Sequence, residues 1–199
     1  MPVVEPVTIA VEGLLDEAIT VRLIECAGGK AGVVYGKNGK DNLRSRLRGY
    51  CNAARHAPWF VLTDMDADAS CAPELLDKLL GGRIEHFCFR IAVHEVESWL
   101  LADSLNLASF LSVNPVRIEA NPDSLFDPKH HLVQLTRYSR KRFIREGLVP
   151  RPGSRRTEGD EYTSTMIQFA KMYWSPGNAR RNSDSLDRAM SCLEKLLQP

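Results

Sequence analysis

The sequence predicts an α/β fold: a mainly parallel four-stranded sheet with helices on both faces, followed by a helical C-terminal extension. Three observations lead there. Four short apolar runs alternate with stretches of helix-forming residues. The breaks between them are short and carry Gly, Asn or Asp. Beyond Asn114-Pro115 the helical spacing continues but no strand-like run returns. Strand and helix in regular alternation imply a parallel sheet covered on both sides.

Val7 to Val11 is apolar and β-branched, ends at Glu12-Gly13, and reads as a buried strand. Asp16 to Ala27 holds helix formers and stops at Gly28-Gly29. Ala31 to Tyr35 is the second strand, closed by Gly36-Lys-Asn-Gly39, and Asp41 to Arg55 the second helix. Trp59 to Thr63 is the third strand, running into Asp64-Met-Asp66-Ala-Asp68. Pro73 to Leu80 is a helix with Pro near its start and Gly81-Gly82 at its end. His86 to Val93 is the fourth strand, after which Val96, Trp99, Leu100, Leu107, Phe110 and Leu111 take helical spacing. Residues 115 to 128 are rich in Pro, Asn and Asp and read as a loop with one turn. Gly147 to Gly153 reads as a second loop, and Tyr162 to Tyr173 and Ser185 to Leu197 as helices. The expected division is a core over residues 1–112 and a basic, mostly helical extension over 113–199 packed on it.

Bulk properties narrow the class. The chain has 199 residues, is 44% hydrophobic and carries a net charge of +1. That is enough apolar material for a core, and no overall charge that selects a partner. Five cysteines with no C-x-x-C pair argue against a disulfide framework and against structural zinc. Cys26, Cys88 and Cys192 sit in apolar stretches, where a free thiol acts as a small hydrophobe. No apolar run approaches the roughly 20 residues that span a bilayer, and the N-terminus lacks a signal-peptide pattern. The expected compartment is the cytoplasm, with no membrane partner.

Chemistry concentrates where strands end. In parallel sheets, ligands bind outside the carboxyl ends of the strands. Glu12 stands at such an end, although alone it is an ordinary loop acid. Asp64 and Asp66 are two apart on an extended segment, so their side chains share a side. Two carboxylates there repel unless a cation joins them, and Mg²⁺ takes oxygen ligands. Asp68 is a further ligand or a turn residue. After the fourth strand comes His94-Glu95-Val-Glu97. If it is extended, Glu95 and Glu97 share a side. If the helix has begun, they diverge by roughly 200° and one of them faces the site.

Taken together, Glu12, Asp64-x-Asp66 and Glu95-x-Glu97-x-Trp99-Leu-Leu-Ala-Asp resemble the TOPRIM domain, the catalytic module of topoisomerases, primases and OLD-family nucleases. In that family a glutamate follows the first strand and a D-x-D the third. The third stretch, with Asp127-Pro-Lys129 later, looks similar to small bacterial TOPRIM-like proteins related to the nuclease half of OLD proteins. Those proteins are encoded beside ABC- or AAA-type ATPases in antiviral defence loci. The resemblance is close over the first 105 residues and looser beyond.

It implies one or two Mg²⁺ or Mn²⁺ ions held by Glu12, Asp64, Asp66 and one of Glu95 or Glu97, of which Glu97 matches better. Glu12 is alternatively a general acid or base. Lys129 stabilises charge on phosphate or is a surface lysine. The implied activity is a nuclease (a hydrolase) with an ATPase partner. The alternative is a non-catalytic regulatory or scaffold subunit on that ATPase. A topoisomerase or primase would need further domains. A haloacid-dehalogenase-type phosphatase would carry its D-x-D on the first strand.

Charge geography adds a nucleic-acid partner, DNA before RNA. From residue 137 to 156 the cations are Arg137, Arg140, Lys141, Arg142, Arg145, Arg151, Arg155 and Arg156, against Glu146 alone. Tyr138 and Phe143 are interleaved. Such a stripe tracks a phosphate backbone and offers rings to unpaired bases. A solvated helix face, or a face for an acidic protein, has the same composition. His130-His131 reads as structural, and self-association stays open.

Overall fold

The computed structural model describes residues 5–65, 71–82 and 84–198. Its strands are β1 (Val7–Val11), β2 (Ala31–Gly36), β3 (Trp59–Asp64) and β4 (Phe87–Ala92). They form one parallel sheet in the order β2-β1-β3-β4. α1 (Leu14–Cys26) connects β1 to β2, α2 (Lys40–Ala53) connects β2 to β3, and α3 (Ala72–Leu80) precedes β4.

The order explains the layers. The chain steps outward from β1 to β2, then reverses across β1 to β3 and on to β4. Right-handed crossovers put a helix on one face for the first direction and on the other for the second. Strand alternation shows the result. Ala10, Val61, Phe89 and Ile91 pack with Leu43 and Leu47 of α2 and Leu75 of α3. Val7, Ile9, Val11, Phe60, Leu62, Cys88 and Ala92 face the opposite layer, with α1.

On that opposite face α1 is, among the described residues, the only helix supplied by the strand connections. The later helices complete it. They are α4 (Glu97–Leu101), α5 (Ser104–Leu111), α6 (Pro128–Thr136), α7 (Arg142–Leu148), α8 (Tyr162–Met172), α9 (Pro176–Ala179) and α10 (Asp184–Leu196). α8 lies along α1, and α10 lies on β4. Met166, Phe169, Leu186 and Leu193 therefore share one core with the strands. α4 is buried throughout. It is pinned by Trp99, whose Nε1 donates to Ser185 Oγ at 2.7 Å and whose carbonyl accepts from Trp174 Nε1 at 3.1 Å.

The strands, and the helices between them, lie where the hydrophobic runs put them. The differences have local causes. α1 begins at Leu14, ahead of Asp16, because the Asp16 carboxylate accepts the Gly13 N–H at 2.7 Å and closes the first turn. Residues 115–128 hold two 3₁₀ turns, Pro115–Arg117 and Pro122–Ser124, before α6 starts at Pro128. α7 runs through Gly147 to Leu148, so that expected loop begins later.

The cysteine reading is corrected. Cys88 and Cys192 are joined as a disulfide across 104 residues, and Cys26 is exposed. α10 packing on β4 creates that pairing, a contact with no trace in local spacing. No helix among the described residues is long and apolar enough to cross a membrane.

Candidate metal centre

The chain leaves β1 toward one edge of the sheet and β3 toward the other. A crevice opens between strands that diverge in this way, at their carboxyl ends. Glu12 follows β1 directly and Asp64 ends β3. The register sets them side by side, since Ala10 pairs with Val61 and each strand runs on from there. The Glu12 Oε1 atom accepts the Thr63 hydroxyl and also the Asp64 N–H at 3.2 Å.

Asp64 reaches the next segment. Its Oδ1 accepts the Val96 N–H at 3.1 Å, tying the end of β3 to the start of α4. Between β4 and α4 the chain turns at His94, whose φ is +62°. L-residues seldom occupy that left-handed region, so the packing on either side holds the turn.

The turn settles how Glu95 and Glu97 relate. α4 begins at Glu97, yet both acids lie near Lys129. Glu95 Oε2 accepts the Lys129 backbone N–H at 2.9 Å. Glu97 is 5% exposed, and its Oε1 accepts the Tyr162 hydroxyl at 3.1 Å. Burial, and then the Glu95 charge, push the Glu97 carboxyl up to about 7, against the opposing pull of Lys129. Asp16 is also buried. Its carboxyl rises to about 6 through burial, with the Gly13 N–H opposing, Glu12 adding and Lys129 opposing.

Lys129 is thus set among acids. Its Nζ is 3.6 Å from Glu158 Oε1 and 5.3 Å from the centre of the Tyr162 ring. Glu158 is held below its ordinary range, first by the Thr157 hydroxyl, with Lys129 and Arg156 assisting against burial. Burial first, and then Glu97, raise the Tyr162 hydroxyl well above its ordinary value, so it stays a proton donor.

The structure brings Glu12, Asp64, Glu95, Glu97 and Lys129 to one region. Asp66 and Asp68 lie outside the described residues. Among the described residues no three His, Cys, Asp or Glu side chains stand close enough to hold an ion together. The chemistry of the donors nevertheless fits a hard divalent cation. They are all carboxylates, and the two buried ones, Asp16 and Glu97, are hard to ionise because of burial and the neighbouring charges of Glu12 and Glu95 respectively. A cation relieves both costs. Asp16, Glu158 and Tyr162 join the site without having been singled out from the sequence. Asp16 had one signal, an acid in the first helical turn beyond Glu12. Tyr162 is 65 residues from Glu97 and had none.

The basic stripe divides. Arg145 donates to the Ser139 carbonyl. Arg142 pairs with Glu146 at 2.7 Å, and Arg151 and Arg156 both pair with Asp160, at 3.2 and 2.7 Å. Lys141 Nζ donates to the Phe110 carbonyl at 3.0 Å. Arg137, Arg140 and Arg155 are exposed and make no ion pair with a described residue. Beside the stripe, Phe110, Phe143 and Tyr173 line a cleft of about 390 Å³ with Lys141.

No protein-family model matches the chain, and no curated protein and no solved structure is significantly similar to it.

Proposed function

We propose that the chain is a Mg²⁺- or Mn²⁺-dependent nuclease of the TOPRIM type that hydrolyses nucleic-acid phosphodiesters. One observation carries the reading: acids from β1, β3 and the β4–α4 turn meet at the sheet's crevice with a lysine from α6 among them. By the sequence resemblance, Glu12, Asp64 and Glu97 would hold the cation with Asp66 once drawn closer than their present spacing, and Glu95 and Asp68 are the remaining candidates. The bound ion supplies activation of water and neutralisation of phosphate charge.

The chain's own groups do the rest. Tyr162 orients the Glu97 carboxylate, and the Val96 N–H orients Asp64. Lys129 sets a positive charge where a phosphoryl oxygen would otherwise meet only acids. Asp16 exchanges its proton near pH 6 beside Glu12, in range for acid–base work. Arg137, Arg140 and Arg155 supply cations for a backbone, and the Phe143–Tyr173 cleft offers rings to unpaired bases. The ATPase partner, the defence role and the cytoplasmic setting rest on the sequence resemblance and composition alone.

The test is plasmid, single-stranded DNA and RNA incubated with Mg²⁺ or Mn²⁺, with and without an ABC- or AAA-type ATPase of the kind the resemblance implies. Metal-dependent cleavage that Asp64→Ala abolishes supports the proposal. No cleavage in any arm, or cleavage indifferent to that substitution, sinks it.

A specific feature favours a second reading, a non-catalytic scaffold. Glu12, Asp64 and Glu95 each accept a hydrogen bond from the chain's own backbone, which serves the fold whether or not a metal binds. Calorimetry with Mn²⁺ separates the two. A site that binds and loses binding in Glu12→Ala is a metal centre; no Mn²⁺ binding leaves the scaffold.

A further inference from the structure

β4 is an edge strand, paired with β3 and with no other described strand. Its outer side opens on a cavity of about 800 Å³ whose wall includes every residue from Glu85 to Arg90. α3 flanks the cavity on one face of the sheet and α10 on the other.

Charge is divided between those faces. Cys88 and Ala92 point into the layer that holds α10, and alternation sends Arg90 between them to the same side. Arg188 and Lys195 of α10 line that side as well. The acids of the wall, Asp77 and Glu85, belong to α3 and to the turn ahead of β4.

The cations lack counter-charges among the described residues. The Arg90 Nε is shut off from solvent and makes no hydrogen bond. Arg90, Arg188 and Lys195 form no ion pair with a described residue. Burial, and then the nearby Arg188 charge, weaken the hold of Arg90 on its proton. Cys88 and Cys192 line the same cavity, but they are bonded to each other and supply no thiolate. A half-buried guanidinium with an orphaned N–H beside a second cation costs the fold free energy. Such a cost is retained where a ligand repays it.

We propose that this cavity binds a phosphate oxyanion, gripped by the Arg90 and Arg188 guanidiniums with the Lys195 ammonium alongside. Three cations call for more than one negative charge, and the arginine fork matches the edge of a tetrahedral oxyanion. The space exceeds a lone ion, so the phosphate is carried on a larger molecule, a nucleotide or a nucleic-acid strand. A second copy of the chain is not the occupant. Pairing two β4 edges about a twofold axis normal to the sheet would set these cations against their own images. The site shares no residue with the carboxylate centre and does not depend on the nuclease proposal.

Titration calorimetry in EDTA, which removes metal from the carboxylates, tests it. The probes are pyrophosphate, ADP and a short oligothymidylate, against wild type, Arg188→Gln and Arg90→Met. At least one probe binds wild type, and each variant weakens it by about tenfold or more, the loss expected for one charge-assisted contact. Pyrophosphate or ADP binding without oligonucleotide binding identifies a small phosphate ligand. Oligonucleotide binding that both variants weaken identifies a strand. No binding by any probe, or equal binding in all three proteins, overturns the proposal.

Arg188 is exposed on α10, so Arg188→Gln carries the test if Arg90→Met does not fold. Melting adds a second readout. Without ligand, Arg90→Met melts above wild type because an unpaired cation has gone, and pyrophosphate no longer protects it. A lower melting point together with undiminished protection also overturns the proposal.

Discussion

Replacing Glu97 with Gln removes a buried charge and keeps an acceptor for the Tyr162 hydroxyl. The folded protein binds the Glu97 proton up to about pH 7, against 4.5 for the free side chain. Below 4.5 both states hold the proton and the residue costs nothing. As pH rises from 4.5 toward 7 the unfolded chain ionises first, and the folded state loses ground. Above 7 the full cost is present, about 3 kcal/mol at ~1.4 kcal/mol per pH unit. In EDTA at pH 8, Glu97→Gln therefore stabilises the protein by up to about 3 kcal/mol, or roughly 6–12 °C in melting temperature for a chain of this size. At pH 4 the two proteins melt together. Mn²⁺ then reverses the order, protecting wild type more than the variant. The measurements are urea and thermal unfolding by circular dichroism at both pH values. A variant less stable than wild type at pH 8 in EDTA, or a gap that does not change with pH, would refute the reasoning.

Three further outcomes are expected. Gly36→Ala loses stability by about 1–3 kcal/mol and weakens Mn²⁺ binding in calorimetry. Gly36 has φ +89°, and a Cβ there collides with the Val11 carbonyl, one residue from Glu12. Leu193→Ala costs about 2–5 kcal/mol in urea and unfolds in one transition, because α10 belongs to the same core as the sheet. Arg137→Gln with Arg140→Gln weakens oligonucleotide binding and flattens its salt dependence in fluorescence anisotropy. Arg145→Met instead lowers the melting temperature and leaves the salt slope unchanged, since that guanidinium holds the Ser139 carbonyl.

What could be read from the chain follows range. Val7 to Val11 and Trp59 to Thr63 show themselves by composition, and Glu12 and Asp64 inherit their places from those strand ends. The pattern at Glu95 and Glu97 left two geometries open, because the choice depends on the His94 turn and on where Lys129 arrives from α6. Tyr162, Glu158 and the Cys88–Cys192 pair come from packing between distant helices and strands, which no local period encodes. The basic stripe acquires a counter-charge for a related reason. Asp160 lies just past its end and pairs with both Arg151 and Arg156, offsetting one of their two charges.

The placement of α10 bears on how the chain is made. Synthesis delivers β1 to β4 first, with α1 alone to shelter one side of the sheet. Cys88 on β4 acquires its full cover only when residues 184–196 arrive. A nascent chain halted after β4 thus displays a half-dressed apolar sheet, the kind of surface that aggregates or recruits a holdase. The carboxylate centre is tied to the same schedule, because Tyr162 reaches Glu97 only after α8 has docked on α1. Assembly of the acids therefore waits for the segment that carries α8.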